Sequence, residues 1–235
     1  MNRLKLSFIA AAMLLVVGCG GGGSSDNSEA TKVETVEEAK SSFQSLSALT
    51  SMDGFSTQIS SNKLQKTSSS AKQSASCDNG GTVSIDIVGA TTSIVANQCQ
   101  YGNYYMDGSI NMTELSDGSE KFIMSNMTMK DGAIDMYVSQ MVFVDNEAEH
   151  WSTMDGDIKI VSKCFSGKYD FKTIEKMYEA QDGSNNVETG VVELNGARYT
   201  FSNPYVTIKV GGKESEPMLQ SELEKKMNNT LTCSE

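Results

Sequence analysis

The sequence predicts a mainly β domain with flanking helices: an antiparallel meander of repeated β-hairpins, curled or partly closed, with one N-terminal and one C-terminal helix. Three observations carry that prediction. The first is a repeat. Asp107-Gly108-Ser109-Ile110-Asn111-Met112 recurs as Asp131-Gly132-Ala133-Ile134-Asp135-Met136 and as Asp155-Gly156-Asp157-Ile158-Lys159-Ile160, at a spacing of 24 residues both times. An Asp-Gly dipeptide tolerates the left-handed backbone of a tight turn, and alternating apolar residues after it mark a half-buried strand. On this reading Ile110, Ile134 and Ile158 hold equivalent inward positions on successive hairpins. Asp182-Gly183 with Val187 forms a weaker later copy, and Gly80-Gly81 leading into Val83, Ile85 and Ile87 an earlier one. The second observation is an echo in the returning strands: Val95-Ala96-Asn97, Met124-Ser125-Asn126 and Phe201-Ser202-Asn203 share an apolar-small-Asn order. The third is a pair of amphipathic stretches at the two ends of the chain. Strands with one apolar face need a cover, and these helices supply it. A closed, lipocalin-like barrel is the alternative architecture.

The N-terminal elements come in a fixed order. Arg3 and Lys5 form a basic start, and Leu6 to Val17 form an apolar run broken by Ser7. That run is too short for a permanent membrane span and has the proportions of a signal peptide. Gly20 to Ser28 is rich in Gly and Ser and reads as a flexible tether. Thr31 and Glu34 have the spacing of a capping box, and Val33, Val36, Phe43, Leu46 and Leu49 follow at helical spacing. Ser56 to Ser76 is rich in Ser, Lys and Gln and reads as loop or mobile linker. Its Ser60-x-x-Lys63 and Ser69-x-x-Lys72 match the S-x-x-K of penicillin-binding enzymes, but the partner motifs are missing. At the other end, Pro217 suits a first helical turn, and Leu219, Leu223, Met227 and Leu231 form a stripe with Glu222 facing Lys225 and Lys226.

The four residues Val16-Val17-Gly18-Cys19 resemble the lipobox of bacterial lipoproteins. The resemblance implies cleavage before Cys19, acylation of that cysteine, and anchoring in the cell envelope. Gly20, rather than Asp, after the cysteine points to the outer membrane. Residues 77–210 loosely resemble repeat-bearing, β-rich envelope lipoproteins, a likeness that transfers no activity. The expected organisation is a signal peptide at 1–18, the lipidated cysteine and tether at 19–28, an N-terminal helix and low-complexity linker at 29–76, and the hairpin-repeat domain with its C-terminal helix at 77–235.

Charge and cysteines narrow the partners. The 235-residue chain carries 19 Lys and Arg against 30 Asp and Glu, and loss of residues 1–18 with Arg3 and Lys5 leaves a formal charge of −13. Such a surface repels phosphate backbones, so no nucleic acid is expected, and attachment to anionic lipid falls to the acyl chains. With Cys19 lipidated, Cys77, Cys99, Cys164 and Cys233 remain, and an even number in an exported chain suggests two disulfides. Three connectivities are open; Cys77–Cys99 with Cys164–Cys233 is preferred because each bond ties neighbouring or terminal segments. No C-x-x-C occurs, so neither redox nor zinc-knuckle chemistry is indicated.

Candidate chemistry is sparse. His150 is the only histidine, and no G-x-S-x-G is present, so a Ser-His-Asp site has little to build on. It reads as an ordinary surface or hairpin residue. Met124, Met127 and Met129 could offer thioethers to Cu(I). Strict alternation, however, puts Met127 and Met129 on one face and Met124 on the other, and core packing is the stronger reading. Asp155, Asp157 and the other Asp-Gly carboxylates lack an EF-hand or RTX pattern and serve turn geometry. No metal and no cofactor are expected. The function expected is that of a membrane-anchored envelope lipoprotein with a non-enzymatic binding or structural role, its ligand a protein, a glycan or a lipid. A carboxylate-dependent hydrolase of envelope glycans and a lipid-binding envelope protein are the alternatives.

Overall fold

The computed structural model describes residues 32–45, 70–132, 134–162, 166–182, 184 and 186–225. The alternating apolar pattern resolves into one antiparallel sheet in which the strands pair in sequence order. The first six are β1 (Ser70–Ser76), β2 (Thr82–Val88), β3 (Thr91–Tyr101), β4 (Tyr104–Glu114), β5 (Glu120–Lys130) and β6 (Ile134–Asn146). Then come β7 (Trp151–Ser162), β8 (Ser166–Glu179), β9 (Val187–Leu194), β10 (Ala197–Ser202), β11 (Tyr205–Val210) and the short β12 (Lys213–Glu214). A further short strand, β13 (Met218–Leu219), also pairs with β11. Helix α1 (Val36–Ser45) precedes the sheet and helix α2 (Gln220–Lys225) follows it. The meander is therefore as the sequence predicts. Among the described residues no ladder joins β1 to β12, so the sheet is open and the barrel alternative is set aside.

One face of the sheet holds the core. Antiparallel register lines up Cys99, Met106, Met129, Met136 and Ile160 across β3 to β7. A second row runs Ile94, Ile110, Met124, Met141, Gly156, Phe171, Leu194 and Ala197 across eight strands. All but Ile110 and Gly156 in these rows are buried. Lateral neighbours on one face are the unit of sheet stabilisation, and here they form a single apolar cluster.

Both helices differ in detail from the sequence reading. The capping box of α1 is Thr35 with Glu38: the Glu38 N–H donates to Thr35 Oγ1 at 3.2 Å, and Glu38 Oε2 accepts from the Thr35 N–H at 3.2 Å and the Glu34 N–H at 2.9 Å. Two S/T-x-x-E patterns lie four residues apart, and the one beside the first helical residue does the capping. Val33, Ala39 and Phe43 are buried. The Phe43 ring lies 4.9 Å from that of Tyr199 and 6.2 Å from that of Phe201. Leu46 and Leu49 lie outside the described residues. At the C-terminal end, Leu219 belongs to β13 and is exposed, so the helical stripe does not begin there. Leu223 is buried as expected; Met227 and Leu231 lie outside the described residues.

The linker expected up to residue 76 also ends early. Residues 70–76 form β1, in register with all of β2. The Ser- and Lys-rich composition hid this strand because its pairing runs through the backbone and needs no apolar side chain. Lys72 of the second S-x-x-K match is simply a strand residue.

Candidate functional site

The Asp-Gly repeat has a different job from the one its sequence suggests. Asp131-Gly132 does lie between β5 and β6, but Asp107-Gly108 and Asp155-Gly156 lie inside β4 and β7. There they serve β-bulges on both sides. On one side, Asp107 Oδ1 accepts the Gln98 N–H at 2.9 Å where β3 carries an extra residue. On the other, Gly108 (φ +121°) faces the bulge of β5, where a Cβ would run into the Asn126 carbonyl. Asp155 and Gly156 repeat the arrangement. Asp155 Oδ1 accepts the Thr173 N–H at 3.1 Å in the bulged part of β8, and a Cβ on Gly156 would meet the Gln140 carbonyl of β6.

A 24-residue spacing thus spans one and a half strands, not a hairpin. Ile110, Ile134 and Ile158 are not equivalent. Ile110 is half-buried between Ile94 and Met124, Ile158 is buried between Val138 and Tyr169, and Ile134 heads β6 opposite Ser162. Asp-Gly permits both a turn and a bulge, and only the pairing of neighbouring strands selects one. The Asn echo divides likewise. Asn97 lies in the bulge of β3 and Asn126 (φ +50°) in that of β5, whereas Asn203 lies in the β10–β11 turn.

The same bulge changes the methionines. The extra residue at Asn126 resets the alternation of β5, so Met124, Met127 and Met129 are all buried on one face rather than divided between two. They pack with Met106, Met136 and Met141 in the core rows. Among the described residues no group of three or more His, Cys, Asp or Glu side chains is arranged to hold a metal ion. Asp157 is engaged with the Ser139 hydroxyl at 2.8 Å and with Lys168 at 3.9 Å.

Cys77 and Cys99 form a disulfide, with Cα atoms 5.4 Å apart across 22 residues of sequence. In the chain-entropy picture closing such a loop contributes about 3 kcal/mol. Cys19, Cys164 and Cys233 lie outside the described residues, and with them the proposed lipidation and the second pairing.

A group of titratable side chains lies at one end of β5, β6, β7 and β8. His150 sits in the β6–β7 turn with φ +56°, exposed, its Nδ1 4.0 Å from Glu179 Oε2. The turn is well held. Asn146 Oδ1 accepts the Glu149 N–H at 2.9 Å, Glu149 Oε2 accepts the Trp151 indole N–H at 2.8 Å, and the Glu179 N–H donates to the His150 carbonyl at 3.0 Å. Lys176 Nζ stands 3.4 Å from the centre of the buried Trp151 ring, in cation–π geometry. Glu120 faces Asp145 directly across the β5–β6 pair. Burial, reinforced by Glu179, Glu120 and Glu147, pushes the Asp145 carboxyl up to about 6. Burial also raises Glu179, with His150 opposing. The sequence displays the run Asp145, Glu147, Glu149 and His150, but Glu120 and Glu179 arrive only through strand register.

The chain matches no protein-family model, no curated protein and no solved structure.

Proposed function

We propose that this chain is an exported bacterial lipoprotein, held to the outer membrane through acyl chains on Cys19, whose β-sheet domain has a non-enzymatic binding or structural role. The observation that carries this reading is the basic and apolar leader ending in Val16-Val17-Gly18-Cys19. The disulfide between Cys77 and Cys99 suits an oxidising, extracytoplasmic compartment. The acidic balance leaves attachment to the lipid rather than to surface charge. For binding, the face opposite the core offers mixed charge: Lys172, Glu193, Arg198 and Lys209 lie in one row across β8 to β11.

Mass spectrometry of the N-terminal peptide from the membrane fraction tests the anchor. A chain beginning at an acylated Cys19 is expected, and Cys19→Ser should leave precursor or released protein. An intact, unmodified Cys19 in membrane-bound mature protein would overturn the reading. Native mass spectrometry of the purified protein tests the role: a co-purifying lipid would replace a general binding role with a lipid-handling one.

A further inference from the structure

We propose that the sheet end formed by β5, β6, β7 and β8 is a proton-responsive clasp, drawn together in mildly acidic surroundings and loosened at neutral pH and above. The geometry is a set of acids around one half-buried carboxyl. Asp145 shares the core face of β6 with Phe143, two residues before it, and so stands at the margin of the apolar cluster. From β5, Glu120 is its direct partner; from β7, its partner is the uncharged Ser152. Lys121, next to Glu120, is opposite Val144 and alternates to the other face. The turn supplies Glu147, and β8 supplies Glu179.

The nearby basic side chains are engaged elsewhere. His150 lies against Glu179, and Lys176 covers Trp151 while also acting on Asp117 in the β4–β5 turn. Every charged group that acts strongly on Asp145 is therefore an acid. Ionising it places a like charge opposite Glu120 at the edge of the core. Protonating it removes that repulsion between Asp145 and the acids of β5, the β6–β7 turn and β8. The Glu179 N–H to His150 carbonyl bond joins β8 to the β6–β7 turn, so the whole end responds together.

The sign follows from linkage. A carboxyl raised to about 6 in the folded chain binds a proton there before the unfolded chain does. Stability tied to Asp145 is therefore missing above about pH 7 and returns as the pH falls through 6. The experiment is a series of urea melts of the full chain between about pH 7.5 and 5.0, for the parent, Asp145→Asn and Glu120→Gln. For this one group the folded-to-unfolded ratio of the parent should rise by about tenfold over that range. Asp145→Asn should be the more stable protein at pH 7.5 and should lose most of this rise, and Glu120→Gln should show a smaller rise than the parent. Amide exchange at Glu147 to Trp151, corrected for its intrinsic pH dependence, should slow in acid in the parent and change little in Asp145→Asn. A parent and an Asp145→Asn variant with equal pH slopes would overturn the proposal. Should Asp145→Asn fail to fold, a Glu120→Gln slope equal to that of the parent overturns it in its place.

Discussion

The core of β9 to β11 and the core of β4 to β7 occupy the same face of the same sheet, yet they are built differently. Under α1 the packing is directional. Phe43 meets the rings of Tyr199 and Phe201, and the Tyr199 hydroxyl donates to the Ala39 carbonyl at 2.7 Å inside the core. Burial drives the Tyr199 phenol far above its ordinary range, so it stays protonated and keeps donating. At the nearby C-terminal end, the buried Gln220 side chain accepts from the Val187 N–H at 2.9 Å and donates to the Val187 carbonyl at 2.8 Å, fixing the start of α2 against β9. Among the described residues the rows of β4 to β6 show no such bonds; they are filled by Met106, Met124, Met127, Met129, Met136 and Met141. Thioether chains adapt to irregular space, whereas an aromatic ring with a buried hydroxyl accepts one arrangement. The helix is thus located by specific contacts, and the bulged strands are accommodated by adaptable ones.

The largest effect expected is from Ile158→Asp, which puts an unpaired charge in a position 1% exposed. It should cost on the order of 4 kcal/mol or abolish folding in urea melts. Parent-like melting would mean that the methionine rows are not a core at all. Phe43→Ala comes next, at about 3 kcal/mol, through lost apolar contact beneath α1. Tyr199→Phe isolates the hydroxyl and should cost about 1–2 kcal/mol, because the Ala39 carbonyl loses its buried donor. Met129→Leu and Met136→Leu should each cost less than about 1.5 kcal/mol, since volume is kept and both side chains serve the core by apolar packing. If either methionine change proved as costly as Phe43→Ala, the contrast between the two regions would fail. His150→Gly should stay within about 0.5 kcal/mol at neutral pH: glycine accepts the left-handed turn, and an exposed pair at 4.0 Å contributes little.

The bulges show where sequence reading stops. Apart from β1, strand existence is legible because apolar alternation is local, and the meander follows from strands joined by short turns. Bulge positions are not local. Asn126 reads as an ordinary strand residue until β4 supplies Gly108 opposite it, and one inserted residue then moves Met124 to the face of Met127 and Met129. The Asp-Gly phase is real in the sequence, but two of its three strongest copies serve these bulges rather than turns. The acidic end is hidden for the same reason, since residues 120, 145 and 179 meet only when three ladders are in register.

By itself the sequence determined the class of fold, the sequential strand order, the presence of two terminal helices and the acidic balance, and it favoured the Cys77–Cys99 pairing over two other connectivities. Each depends on residues near in sequence or on composition, through periodicity, turn chemistry, loop closure or net charge. The tertiary structure alone decided which Asp-Gly dipeptides turn and which face a bulge, which methionines share the core, which Thr-Glu pair caps α1, and which acids surround Asp145. The cap follows from where α1 begins; the other outcomes depend on the register between strands, where a shift of one residue reverses every side chain, and no single strand carries the information that sets it.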